Sequence, residues 1–317
     1  MAEIDQRAGA GAQCVAVRSG GEVPGANGHP AYTLTQRDTA PVPVLITVPH
    51  AGRLYPAEFV ATMRSGEAAS LRLEDRFIDL VAVRVAQETG AALLVAHAPR
   101  AMIDLNRAPD DIDWEMVQGG TPDRRVRFAA GRRARSGLGL VPRRLAGLGE
   151  LWRRPLAEAD LLARLEGIHQ PYHAAAAESL DAVRDRWGSA LMIDLHSMPP
   201  LGTKRGSEPA PDFVIGDRFG TACDSALSAA ALDFFASAGC RVAHNRPYAG
   251  GYGLERHAAP ARGIHALQVE VCRSAYLDAA LREPGEGLAE VSRTLAGFVR
   301  RMAAEISAGR ELAQAAE

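Results

Sequence analysis

The sequence predicts an α/β protein built on one central sheet, mixed and largely parallel. Two observations carry this. Short apolar runs of strand character alternate with longer segments whose apolar residues recur at helical spacing, the pattern of βαβ units. Hydrophobic residues make up 47% and charged residues 23% of the 317-residue chain, with no internal repeat and no linker, so one core of ordinary composition serves one folding unit.

The elements follow in order. Residues 1–40, rich in Gly, Pro and small side chains, are expected as an N-terminal extension with a short edge strand, and 41–317 as a single domain. Val42 to Val48 of PVPVLITVPH is an apolar strand ending at Pro49–His50. A helix follows Pro56. A longer one is expected from about Ser70 to Thr89, where LEDRFIDLVAVRVAQE keeps helical spacing and Gly90 supplies a C-cap. AALLVAHA reads as a second strand and AMIDLN as a third. Residues 108–150 are irregular and read as a lid-like excursion, since long loops in compact domains commonly carry function. Glu150 to Trp187 is helical with an interruption at Pro171. SALMIDLHS, DFVIGD, CRVAHN and IHALQVEV are strands, Ala222 to Ala238 is a helix, and Ser274 to about Ile306 is mostly helical.

Composition narrows the function. A net charge of -2 leaves no basic excess for phosphates, which argues against nucleic acid as the main partner. The Arg-rich stretch 124–135 is short and lacks aromatic interleaving, so it reads as a solvated face or a site for an acidic partner; Lys204 is the sole lysine. Cys14, Cys223, Cys240 and Cys272 are scattered without a CxxC, which fits reduced thiols in a cytoplasmic protein. The N-terminus lacks a basic region followed by an apolar core. No run reaches the ~18 apolar residues of a membrane span, so neither secretion nor a membrane is expected.

Polar groups stand where apolar strands run out. His50 ends PVLITVPH, Asp194 and His196 end LMIDLHS, and Glu270 lies near the end of IHALQVEV. In open α/β sheets, sites form at the carboxyl ends of strands, so these residues share one rim if their strands are neighbours. Taken singly, each has a plainer explanation: a structural histidine, an Asp194 that hydrogen-bonds a neighbour, an outward Glu270 on an edge strand. Three together favour chemistry. Period-two alternation puts Asp194 and His196 on one face, with His196 suited to a metal and Asp194 to its support. Gln268 shares a face with Glu270 and could bond substrate. Two histidines and one carboxylate form a recurring zinc arrangement. The third ligand is open among Glu74, Asp75 and Asp79, which on a helix would ordinarily be solvated charges. Arg100, Asn106 and Arg107 offer an anion site, or ordinary salt bridges with Asp104 and the acidic pair after it. His169 and His173, either side of Pro171–Tyr172, read as structural; His257 is the remaining histidine best placed to touch substrate.

PHAGRLYP, LEDRFIDL, RAMIDLNR, PYH, IDLHSMP, NRPYAGGY and HALQVE occur here in the order in which they occur in N-formylglutamate amidohydrolases, over roughly residues 42–300. The resemblance implies a three-layer α/β/α fold of the phosphorylase/hydrolase-like kind, related to zinc carboxypeptidases and aspartoacylases. It implies hydrolysis of N-formyl-L-glutamate to formate and L-glutamate in histidine breakdown, with a divalent metal, Zn²⁺ first among candidates. His50 and His196 resemble the first and last metal ligands and Asp75 the one between, with Glu74 the alternative. Glu270 resembles the catalytic glutamate, Arg100 a stabiliser of the oxyanion, and Asn106 and Arg107 a carboxylate grip. Gly251 and Tyr252 belong to a substrate-facing GGY loop. The chain departs from the family around Asp75, which is preceded by RLE, and after GGY, where it reads GLERHAAP. These departures bear on the substrate more than on the chemistry. They leave open an amidase or peptidase acting on another acyl amino acid, or a non-catalytic metal-binding relative.

Overall fold

The computed structural model describes residues 15–119, 131–202 and 210–315; Cys14, Lys204 and residues 124–130 of the Arg-rich stretch lie outside the described residues. The first part forms β1 (Val15–Gly20), β2 (Tyr32–Arg37), β3 (Val44–Val48), α1 (Ala57–Thr62), α2 (Gly66–Leu73), α3 (Ile78–Thr89) and β4 (Ala92–Ala96). Beyond a long irregular stretch come α4 (Arg132–Arg135), the pair β5 (Arg144–Leu145) and β6 (Gly149–Glu150), α5 (Glu158–Arg164) and α6 (Gln170–Trp187). The last part is β7 (Ala190–Met198), β8 (Phe213–Gly216), α7 (Ser225–Ser237), β9 (Val242–His244), α8 (Tyr252–His257), β10 (Ile264–Cys272) and α9 (Leu288–Ala315).

Eight strands make one sheet in the order β1-β2-β4-β3-β7-β10-β8-β9. Its centre, β4, β3, β7 and β10, is parallel. β2 and β8 run antiparallel on either side of it. Alternation sorts each central strand between two cores. Leu45, Leu94, Met192 and Ala266 face one, shared with Tyr172, Ala176 and Leu180 of α6. Ile46, Leu93, Ile193 and Leu267 face the other, with Val81 and Val85 of α3, Phe235 of α7 and Phe298 of α9. Helices therefore cover both faces, and strands buried on both sides read as continuous apolar runs. The three-layer mixed sheet expected of the sequence is the one found. Among the described residues no helix is long and apolar enough to cross a membrane.

Four local expectations need correction. The helix expected over Ser70–Thr89 is broken: α2 stops at Leu73, and Glu74 to Phe77 are irregular before α3 starts. The break is sewn to the end of β3, because the Asp75 N–H donates to the His50 carbonyl at 2.9 Å. Phe77 sits in the left-handed region (φ 56°), roughly 1–2 kcal/mol unfavourable for a non-glycine. Its ring lies under the guanidinium groups of Arg53 and Arg76, 4.5 and 5.0 Å from the centroid. AMIDLN is not a strand. The Asp104 carboxylate accepts the Asn106 N–H at 2.8 Å and curls the chain into a turn. Pro171 does not interrupt its helix, since a π-turn over Leu165–His169 carries α5 into α6. The last helix begins at Leu288, after Pro284, Gly285 and Gly287, rather than at Ser274.

Candidate metal centre and catalytic cavity

Because β3, β7 and β10 are adjacent and parallel, their carboxyl ends open on one rim. Thr47 lies opposite Asp194, Asp194 opposite Gln268, and His196 opposite Glu270. All continue the alternation that puts Leu45, Met192 and Ala266 in the first core, so one apolar stripe turns polar at its end. β10 is flanked by β7 and β8, and Glu270 is buried within the sheet instead of facing outward from an edge.

His50, from the end of β3, and Asp75, from the break after α2, meet His196 of β7. One ligand atom from each lies within 4.8 Å of the others, and all three residues are buried. His196 Nδ1 is 3.0 Å and His50 Nδ1 3.6 Å from the same oxygen, Asp75 Oδ2. Each of the three is held from behind. His50 Nε2 donates to Asp104 Oδ1 at 2.7 Å. His196 Nε2 contacts Asp194 Oδ2 at 3.0 Å, and Thr47 donates to the other Asp194 oxygen at 2.8 Å. Arg273 Nη2 donates to Asp75 Oδ1 at 3.2 Å. Imidazoles backed by carboxylates are the usual outer arrangement of a metal centre.

These residues fit a divalent ion. The buried His50 Nδ1 has no hydrogen-bond partner, although its other nitrogen is committed to Asp104. A bare buried polar atom is costly, and here it is a lone pair beside a carboxylate oxygen and a second imidazole nitrogen. Two imidazole nitrogens and one carboxylate oxygen suit Zn²⁺ with a fourth position open. The electrostatics agree. Burial pushes Asp75 up, but the His196 hydrogen bond at 3.0 Å and the electrostatic pull of His196 and His50 outweigh it and hold its carboxyl well below the usual range. Burial opposes charge on His196, yet Asp194, Asp75 and Glu270 raise it well above the ordinary imidazole value. A proton is thus retained where carboxylates converge, the potential that favours a cation. Asp104 is pushed up by burial and brought well below its usual range by Arg100, His50 and Arg107. Replacing it with Asn should weaken metal affinity by roughly 10–100-fold. Competition with a chelator measures this, and unchanged affinity would mean that Asp104 does not support His50.

A cavity of about 350 Å³ opens over the three residues. Glu270 reaches it, with Gln268 Nε2 donating to its Oε1 at 2.9 Å. Burial, together with Asp75 and Asp194, raises Glu270 to about 7 against the opposing charges of His196 and Arg100. Arg100 and Arg107 line the same cavity. Arg100 donates from Nε to Asp104 Oδ2 at 2.9 Å, and Arg107 donates to the Leu138 and Asn106 carbonyls. Asn106 Oδ1 accepts the Gly253 N–H at 2.9 Å, and Gly251 lies against it.

Three sequence expectations land elsewhere. Glu74 is buried, but its carboxylate accepts from Arg76 at 2.9 Å and does not join His50 and His196. Tyr252 lines an adjoining cavity rather than this one. His257 lies behind the wall, 2.9 Å from His173, and does not reach the cavity. Sequence reasoning passed over Asp104 as a mere salt-bridge partner and missed Arg273 altogether. An arginine placed directly after an apolar strand was the available signal for the latter. Arg133, from the Arg-rich stretch, and Tyr248, from NRPYAGGY, also line the cavity.

Fold and site together define a class: α/β proteins with a buried His–Asp–His centre at the carboxyl rim of a three-layer sheet. Within it, the chain belongs to the N-formylglutamate amidohydrolase family, whose model matches residues 42–277. It is 31% identical over 242 residues to the N-formylglutamate deformylase of Pseudomonas aeruginosa, covering 75% of this chain and 83% of that protein. To the N-formylglutamate deformylase of Pseudomonas putida it is 32% identical over 240 residues, 75% of this chain and 82% of the relative. The crystal structure of N-formylglutamate amidohydrolase from Ralstonia eutropha JMP134 superposes with a TM-score of 0.79 at 31% identity, covering 88% of this chain and 99% of that one.

Proposed function

We propose that this chain hydrolyses the amide of a small acidic N-acyl amino acid, N-formyl-L-glutamate foremost, to formate and L-glutamate. The observation that carries the reading is the meeting of His50, Asp75 and His196 beside Glu270, in a cavity that also presents Arg100 and Arg107. His50, Asp75 and His196 would hold a divalent ion, Zn²⁺ by its donor set. When bound, such an ion supplies Lewis acidity toward a carbonyl oxygen and toward water.

The chain's own residues do the rest. Glu270 Oε1 is engaged by Gln268, which leaves Oε2 to take a proton from the attacking water. As the water oxygen bonds to the formyl carbon and the C–N bond breaks, Glu270 passes that proton to the leaving nitrogen. Arg100, oriented by Asp104, stabilises the developing oxyanion. Arg107 and Asn106 grip a substrate carboxylate, and a guanidinium fork suits that geometry. Family membership supports placing the reaction in histidine breakdown, in the cytoplasm.

The test is formate release from N-formyl-L-glutamate by metal-loaded protein, beside a panel of other N-acyl glutamates, aspartates and short peptides. Turnover of another member but not of the formyl compound would move the substrate. Inactivity on every member, with metal bound, would overturn the reading. Within it, Arg107→Ala should raise KM by about tenfold or more while kcat changes little, the signature of lost ground-state binding. An unchanged KM would remove Arg107 from the carboxylate grip.

A further inference from the structure

We infer that His173, with His169 and His257, is a positioning device that holds the Asn106–Arg107 wall of the cavity in register with the Gly250–Gly251 wall. What the walls bind rests on the function proposed above; the device itself does not.

The π-turn that joins α5 to α6 brings His169 and His173, four residues apart, onto one face with ring centroids 4.5 Å apart. Each commits Nε2 to a backbone carbonyl. His169 is 2.9 Å from the Arg107 oxygen and His173 is 3.0 Å from the Leu105 oxygen. These carbonyls flank Asn106. A carbonyl only accepts, so both Nε2 atoms carry the hydrogen. Burial keeps His173 well below the ordinary imidazole value, so its Nδ1 is a bare acceptor. His257 Nε2, 2.9 Å away, is then the donor to it.

His257 closes α8, the helix that starts directly after Gly251. The chain Leu105–His173–His257 therefore links one cavity wall to the other through two imidazoles. A second tie runs in parallel, from the Gly253 N–H to Asn106 Oδ1 at 2.9 Å. The walls meet without slack, since a Cβ on Gly251 would clash with Asn106 Oδ1. The Tyr252 ring packs against both histidines, with centroids 5.7 Å from His169 and 5.2 Å from His173.

Neither His169, His173 nor His257 lines the catalytic cavity, and the proposed chemistry uses none of them. His169 and His173 are 2% exposed and His257 is 8% exposed, next to an apolar core. Burying imidazoles is unfavourable unless their nitrogens are paired, and apolar side chains would pack this layer at lower cost. What the imidazoles add is direction. His169 and His173 each fix a carbonyl beside Asn106 and His257 ties His173 to α8, and a misplacement of about 1 Å at a site can cost roughly 100-fold in rate.

The experiment uses the metal-loaded full chain and the variants His173→Leu and His173→Gln. His173→Leu should raise KM for N-formyl-L-glutamate at least tenfold and lower kcat/KM about 100-fold, with metal content unchanged. His173→Gln keeps a donor for the Leu105 carbonyl and should recover most of that loss. In a double-mutant cycle with Asn106→Ala, the two losses should be non-additive, because the His173 link and the Asn106 side chain tie the same two walls. Hydrogen exchange without substrate gives a separate readout. His173→Leu should deprotect peptides covering 104–107 and 250–253 while α9 keeps its protection. Should His173→Leu fold poorly, His257→Leu removes only the second link and should deprotect 250–253. Unchanged exchange at both walls, fully additive losses or a wild-type KM would overturn the inference. Wild-type protein that ignores N-formyl-L-glutamate would instead count against the proposed substrate, with the exchange result still deciding the role of His173.

Discussion

His50→Ala should leave the purified protein without a tightly held divalent ion and lower kcat/KM by far more than 100-fold. The bound starting point follows from the outer partners, whose loss alone is worth about 10–100-fold in metal affinity. His50 contributes the only donor atom of the three whose nitrogen is buried and unpartnered, so it has no competing use. Removing it leaves Asp75 and His196 paired with each other at 3.0 Å, a contact that closes on itself without an ion. His29→Ala is the control, an exposed histidine that neither joins the centre nor lines its cavity and should change neither metal content nor rate. Metal analysis by mass spectrometry and a deformylation assay read both variants. A His50→Ala protein that retained one ion per chain and full turnover would remove the centre from the mechanism.

How much of this was legible in the sequence depends on how local the cause is. β3, β7 and β10 were legible because each is a continuous apolar run, and such a run is what burial on two faces requires. Asp194 and His196 were placed on one face by alternation alone, and both prove to be buried at the rim. That β3, β7 and β10 are neighbours was not legible, since strand order is set by crossovers and not by any one strand's composition. Helical spacing of its neighbours predicts Asp75 on a helix. The break there comes from contacts distant in sequence: the His50 carbonyl taking the Asp75 N–H, and Arg273 taking its carboxylate. The resemblance pointed to Asp75 where periodicity could not. Asp104 illustrates the same limit. Its role follows from His50 lying 2.7 Å away across 54 residues, and nothing in AMIDLN announces that.

Glu270→Gln is the second large effect, and it separates catalysis from metal binding. A general base in this position contributes about 10²–10⁴-fold, so kcat should fall by about that factor while metal content stays whole and KM moves little. Glutamine preserves the shape and can still pair with Gln268, so the loss reports the proton transfer rather than collapse of the wall. The pH profile gives an independent check. Burial raises Glu270 to about 7. A raised carboxylate holds its proton to higher pH, and a base works only without it, so activity must fall as pH drops through that value. A cation bound at His50, Asp75 and His196 favours the ionised form and moves the limb downward, so kcat/KM at saturating metal should show an acid limb at or below about 7. In Glu270→Gln that limb should vanish from the residual rate, leaving only whatever slope metal release imposes. A Gln variant with wild-type kcat, or one whose acid limb coincides with that of the parent, would assign the proton to another group and leave Glu270 as a mere neighbour of the metal.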